Sequence, residues 1–252
     1  MTELSDAVAI VTGGSAGIGR AAAERFALEG ASVVVADVQV DAGKETVEHV
    51  VDAGGDAVFV ETDVGDPEDV QAVVEATVEE YGGLDVLVNN AGIEGETDPS
   101  AEQSLENWQR VVDVNLKGVF LGTKYAVPAM LEDGGGSIVN VSSIAGVVGF
   151  PELAPYVASK HGVIGLTKVA ALEYGRSDVR VNAVSPGVID TEMVARTREE
   201  SPETIEQTEQ ATPIGRLGAP EEIGDAIVWL CSPDASFVTG ETLVVDGGFT
   251  AQ

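Results

Sequence analysis

Residues 7–28 read AVAIVTGGSAGIGRAAAERFAL, and this stretch decides the fold. Ala7–Thr12 is a short apolar, β-branched run of the kind a buried strand uses, and Gly17–Leu28 has the character of a helix. Between them lies Thr12-Gly13-Gly14-Ser15-Ala16-Gly17-Ile18-Gly19. Glycines at 13, 17 and 19 permit a tight turn, close approach of the backbone to a pyrophosphate, and close packing of helix on sheet. The amides that open the helix point at such an anion. The spacing is not G-x-G-x-x-G, so alone the loop identifies no more than a Gly-rich turn from strand to helix.

The same alternation recurs outward from this point. Ser32–Ala36 predicts a second strand with a helix at Asp41–Ala53, and Ala57–Glu61 a third with a helix at Pro67–Tyr81. In the last of these Pro67 sits in the first turn, and Val70, Val73, Val74 and Val78 share a face. Val86–Val88, Ser137–Val141, Val179–Val184 and Thr242–Val245 bring the strands to seven. Apolar strands alternating with helices predict an α/β fold, a Rossmann-type doubly wound parallel sheet with helices on both faces. No linker, repeat or low-complexity tract interrupts the 252 residues, so 1–252 reads as one domain. Sheets of this kind bind ligands beyond the carboxyl ends of their strands.

Asp37 follows the second strand, 18 residues beyond Gly19, where an acid hydrogen-bonds the adenosine ribose of a dinucleotide. A carboxylate there repels the extra phosphate of NADP, and neither Val38 nor Ala16 supplies a cation to receive one. NAD is the expected cofactor. Tyr156 and Lys160 stand four apart in PYVASKHGVIGLTKVAALEYG and so share a helix face. A free phenol has a pKa of roughly 10. A nearby ammonium favours the phenolate and is expected to lower that value, as a general acid/base requires. Ser143 ends the fifth strand in VNVSSIAG and offers a hydroxyl to a substrate oxygen; Ser142 competes with it. His161 points about 100° away from Lys160 around the helix and reads as structural, as does His49.

Composition narrows the function classes. Asp plus Glu number 43 against 13 Lys plus Arg, for a formal charge of −30. Such a surface repels nucleic acid and anionic membranes. It also repels itself unless salt screens it, so a salt-rich cytoplasm, as in a halophile, is the expected setting. Acids precede the first apolar stretch, where a signal peptide carries a basic segment, and no apolar run is long enough to span a bilayer. The single Cys231 reads as a small core residue rather than a catalytic thiol. With two His and no ligand spacing, no metal is expected.

Taken in order, these motifs resemble the short-chain dehydrogenase/reductase family over essentially the whole chain. Its T-G-x-x-x-G-x-G is met by Thr12 through Gly19, with Ser15 and Ile18 inside the loop. The resemblance implies that Asp63, followed by Val64, binds the adenine amino group. It places Asn90, Ala91 and Gly92 of Asn89-Asn90-Ala91-Gly92 along the adenosine ribose. Past Pro186-Gly187 it assigns Ile189 and Thr191 to the nicotinamide carboxamide. It implies that Ser143 polarises the carbonyl, that Tyr156 exchanges the proton, and that Lys160 binds the nicotinamide ribose. Asn115, in DVNLKG, is implied to hold a water that links Lys160 to solvent. The family's 13-residue interval to Tyr156 favours Ser143 over Ser142.

The stretch 188–216 is charged and poor in strand signal, and is expected to be a substrate lid. Ile93, Glu94, Val147, Phe150, Leu153, Val188 and Met193 are the expected pocket wall, mainly apolar with an acid at one edge; Arg196 and Arg198 lie in the lid. The expected activity is hydride transfer between NAD and a small neutral secondary alcohol or ketone, cyclic or sugar-like. A 3-oxoacyl carrier-protein reductase shares all the motifs, but Asp37 and the acidic surface argue against it. A non-catalytic NAD-binding regulator has no use for the four implied catalytic residues. The family commonly forms tetramers, and the apolar faces around Val119–Met130 and Val163–Leu172, with the C-terminal VVDGGFTAQ, suit such contacts.

Overall fold

Val8–Thr12 forms the central strand β1, and all five of its side chains are buried. The computed structural model describes residues 4–191, 194–195 and 201–251. Around β1 lie β2 (Ser32–Asp37), β3 (Asp56–Glu61), β4 (Val86–Asn89), β5 (Gly136–Val141), β6 (Val179–Pro186) and β7 (Thr242–Val245). They form one sheet in the order β3-β2-β1-β4-β5-β6-β7, and every pairing is parallel. β2 runs one residue further than expected, so that Asp37 is itself the last ladder position, opposite Glu61.

Helices α1 (Gly17–Leu28), α2 (Val40–Asp52) and α8 (Pro220–Cys231) cover one face; α3 (Pro67–Tyr81), α5 (Gly118–Glu132) and α6 (Ala154–Tyr174) cover the other. Along β1, Ala9 and Val11 pack with Phe26, Ile223 and Ile227, whereas Ile10 packs with Val73, Leu87 and Met130. Two covered faces explain why the strands read as unbroken apolar runs. Cys231 sits in the first of these cores, where burial pushes its thiol up to about 12.

The chain reverses its direction of travel across the sheet between β1 and β4, and the crevice above that point receives the ends of β1, β2, β4, β5 and β6. Two elements there were not read from the sequence. Helix α4 (Leu105–Val112) runs into α5 through a π-helical turn at Asp113–Lys117, with Asn115 in its middle. Within 188–216, the expected lid, Pro202–Ala211 is a helix (α7), and Ile189 bridges to Gly218. Helix α7 has a single buried side chain, Ile205, so no apolar period announces it. Met193, Arg196 and Arg198 lie outside the described residues.

Candidate active site

The glycine loop is shaped by contacts that admit no side chain. Gly13 has φ +64°, and a Cβ there would lie 2.8 Å from both Ala91 Cα and Asn90 Nδ2. A Cβ on Gly19 would fall 2.0 Å from the Gly13 carbonyl oxygen. Asn90 Nδ2 donates to the carbonyls of Thr12 (2.9 Å) and Gly13 (3.0 Å), while Thr12 Oγ1 accepts from Asn90 N at 3.0 Å. Helix α1 starts after Ala16 with no side-chain cap, so its first amides have no side-chain partner among the described residues. Amides without a cap beside close-packed glycines fit a pyrophosphate.

Asp37 is buried at the neighbouring strand end. Its Oδ2 accepts from Ser15 N (3.1 Å) and Ser15 Oγ (2.6 Å), and its Oδ1 from Gln39 N (2.9 Å). These bonds fix the carboxylate against the glycine loop. Asp63 holds its own turn through Gly65 N (2.8 Å).

A cleft of about 900 Å³ runs from Asp37 to Tyr156 and under α7. Every residue expected to touch the cofactor, apart from Gly19, lines it, and so do Ser143, Tyr156 and Lys160. Gly19 and Asn115 lie behind the residues that line it. Asn115 is fully buried; its Oδ1 accepts from Ile93 N, and its Nδ2 donates to Ile93 O, both at 2.8 Å. Its Nδ2 also reaches Ser159 Oγ at 3.2 Å. A Cβ on Gly92 would stand 3.4 Å from both Asn115 Oδ1 and Lys160 Nζ, so the three converge.

Lys160 is buried and donates to the Val141 carbonyl at 2.9 Å; burial pushes its ammonium down to about 8. Its Nζ lies 5.7 Å from the Tyr156 ring centroid. Lys160 does not lower the Tyr156 phenol as expected. Burial pushes the phenol up, a hydrogen bond with Ser143 pulls it back in part, and the charge of Glu94 adds to the rise. The Lys160 ammonium donates to the Val141 carbonyl, and desolvation of the phenolate is the largest influence on Tyr156. Ser142 is engaged elsewhere, its Oγ donating to the Lys160 carbonyl at 3.0 Å.

The expected wall is present in Ile93, Glu94, Phe150, Leu153 and Val188. Val147 is not part of it: it follows the short 3-10 turn Ile144–Gly146 and is 43% exposed. Thr204, Ile205 and Thr208 of α7 complete the cleft instead. A short-chain dehydrogenase family model described as enoyl-(acyl carrier protein) reductase matches residues 13–250.

The chain belongs to the short-chain dehydrogenase/reductase family.

Among curated members, cyclohexanol dehydrogenase of Acinetobacter sp. is 45% identical over 99% of this chain and 97% of its own. The 2,5-dichloro-2,5-cyclohexadiene-1,4-diol dehydrogenase of Sphingobium indicum is 46% identical over 100% of both. Among solved structures, an actinorhodin polyketide ketoreductase with NADPH superposes with a TM-score of 0.94 at 40% identity, over 100% of this chain and 99% of that one.

Sequence reasoning missed several parts of this short-chain dehydrogenase site. Ser159 ties Asn115 to the backbone of Tyr156, donating to its carbonyl at 2.7 Å. It lies three residues from Tyr156, and its neighbours in sequence give no sign of the π-turn it meets. Phe249 of the C-terminal segment stacks on the cleft-lining Phe150, with centroids 6.4 Å apart. Asp246 holds that turn by accepting from Gly248 N, Thr250 N and Thr250 Oγ1 at 2.8, 2.7 and 2.6 Å.

Proposed function

We propose that this protein is an NAD-dependent dehydrogenase of small, neutral, cyclic secondary alcohols, with Tyr156 as its acid/base. The observation that carries the reading is one cleft with Asp37 at its adenosine end and Ser143, Tyr156 and Lys160 together at the other. The capless helix and the glycine cradle suit the pyrophosphate, and Asp37, held by Ser15 and Gln39, suits a free ribose diol rather than a phosphate. When bound, the nicotinamide supplies the hydride acceptor. Tyr156 takes the hydroxyl proton of the alcohol, and Ser143 holds the same oxygen by a hydrogen bond. Lys160 orients the ribose, and Asn115 fixes the Ile93 backbone beside the substrate.

The apolar wall of Ile93, Phe150, Leu153 and Ile205 suits an alicyclic ring, and two relatives are named for six-membered rings. The 3-oxoacyl carrier-protein reductase reading needs an acidic partner to approach a chain of charge −30. The exposed Phe120, Val169 and Leu172 on α5 and α6 support assembly as a homo-oligomer, with a tetramer favoured.

The test is a spectrophotometric screen of NAD and NADP against cyclohexanol, sugar alcohols and 3-hydroxyacyl thioesters in concentrated KCl. Reduction of NAD with a cyclic alcohol is expected, and Asp37→Asn should narrow the gap between NAD and NADP. A wild type that prefers NADP, or that turns over only the thioester, overturns the assignment.

A further inference from the structure

Three acids line the cleft among the described residues, and two of them, Asp37 and Asp63, lie at the adenosine end. The third, Glu94, belongs to the other end, near enough for its charge to act on the Tyr156 phenol. It is held there deliberately. On one side Asn115 grips the backbone of Ile93 by both N–H and C=O, each at 2.8 Å. On the other, buried Asn107 accepts from Glu96 N at 3.0 Å and donates to Glu96 O at 3.3 Å. Between them Gly95 turns at φ +84°, so close to α4 that a Cβ would lie 2.5 Å from Val111 Cγ2. Two buried asparagines, at Ile93 and Glu96, and the tight turn at Gly95 therefore fix the backbone on either side of Glu94.

No ion pair or hydrogen bond joins the Glu94 carboxylate to any described residue; of the two cations lining the cleft, Lys160 donates to the Val141 carbonyl, and Arg110 contacts Asn107 Oδ1 at 3.2 Å and Glu96 at 3.9 Å. Burial pushes the Glu94 carboxyl up, with nothing to offset it. Glu94 nevertheless stays exposed to the open cleft, and its carboxylate, an acceptor only when ionised, can take a donor that a bound substrate brings there. The surrounding wall is apolar.

We propose that Glu94 accepts a hydrogen bond from a second hydroxyl of the substrate, so that the preferred substrates are cyclic diols or polyols rather than mono-alcohols. This rests on the cyclic-alcohol reading above. A ring carbon other than the reacting one carries the second hydroxyl, and Tyr156 and Ser143 remain with the first.

The experiment compares kcat/KM for cyclohexanol with that for 1,2-, 1,3- and 1,4-cyclohexanediol and 4-aminocyclohexanol, in wild type, Glu94→Gln and Glu94→Ala. The KM for NAD and the melting temperature report the fold of each variant. At least one diol is expected to exceed cyclohexanol by about tenfold, the scale of one hydrogen bond to a charged group. Glu94→Ala should abolish that ratio through KM, and Glu94→Gln, which keeps an acceptor oxygen, should retain part of it. A diol-to-cyclohexanol ratio near one, or a ratio that Glu94→Ala leaves intact, overturns the proposal while the cyclic-alcohol reading stands. A preference for the amine over every diol replaces the hydroxyl by an ammonium and overturns it too. A wild type that oxidises none of these rings overturns the underlying reading, and this inference with it.

Discussion

Tyr156 works against its surroundings. Oxidising an alcohol requires the phenolate, and burial together with the Glu94 charge raises the phenol, so the rate of oxidation should climb with pH. The hydrogen bond from Ser143 is what pulls the other way. Ser143→Ala therefore has two expected effects. It should lower kcat by about 10²–10³-fold, as removal of one such donor does, and it should move the acid limb of the kcat/KM profile to higher pH. Ser142→Ala should leave the limb where it is, because its hydroxyl serves the Lys160 carbonyl. Profiles of the three enzymes check this, and equal shifts in both variants would mean that the wrong serine has been assigned. Ser143, Tyr156 and Lys160 were singled out by helical spacing and by the family resemblance, and the structure brings them to one cleft. What Lys160 does to the phenol was not legible, because that depends on burial and on the Val141 carbonyl, neither of which is written in residue spacing.

At the scale of elements, legibility followed the strength of local signals. Helix α3 was read from end to end on Pro67 in its first turn and valines at helical spacing; the structure adds that Asp66 caps it by accepting from Glu68 N at 2.8 Å and that Gly82 closes it at φ +89°. The π-turn at Asp113–Lys117 has no such punctuation, and α7 has only Ile205 to anchor it. That weak anchoring suits a lid. Ile205 is 7% exposed and lines the cleft, so Ile205→Ala should loosen α7 over the substrate. The expected result is a rise in KM for the alcohol of about tenfold, the scale set by burying one such side chain, with little change in KM for NAD. Phe249→Ala, which removes the ring behind Phe150, should act in the same direction. A parallel rise in the KM for NAD would show instead that α7 and the C-terminal turn support the whole crevice.

The whole molecule carries a feature that neither site nor fold requires. Glu48 and Asp52 on α2, and Glu75, Glu79 and Glu80 on α3, are all exposed, within a chain of net charge −30. The ion pairs are mostly on the surface and isolated, such as Arg216 with Glu222 at 2.7 Å, and such pairs contribute little against so large an excess. The balance was legible in composition alone, but only the structure shows that these acids stand clear of the cleft and are free to vary without touching the chemistry. Raising KCl from about 0.1 M to 1 M shortens the screening length from about 10 Å to about 3 Å, below the spacing of neighbouring surface charges. The melting temperature is therefore expected to rise on the order of 10 °C over that range, since each kcal/mol moves the midpoint of a domain this size by about 2–4 °C. Salt also strengthens apolar burial, so a second protein separates the two effects. Neutralising Glu48, Asp52, Glu79 and Glu80 to their amides should raise the melting temperature in dilute buffer and flatten its dependence on KCl. If the wild type melts at the same temperature in both buffers, self-repulsion does not limit this fold. If the neutralised protein keeps the full salt response, the response belongs to the core and not to the acids.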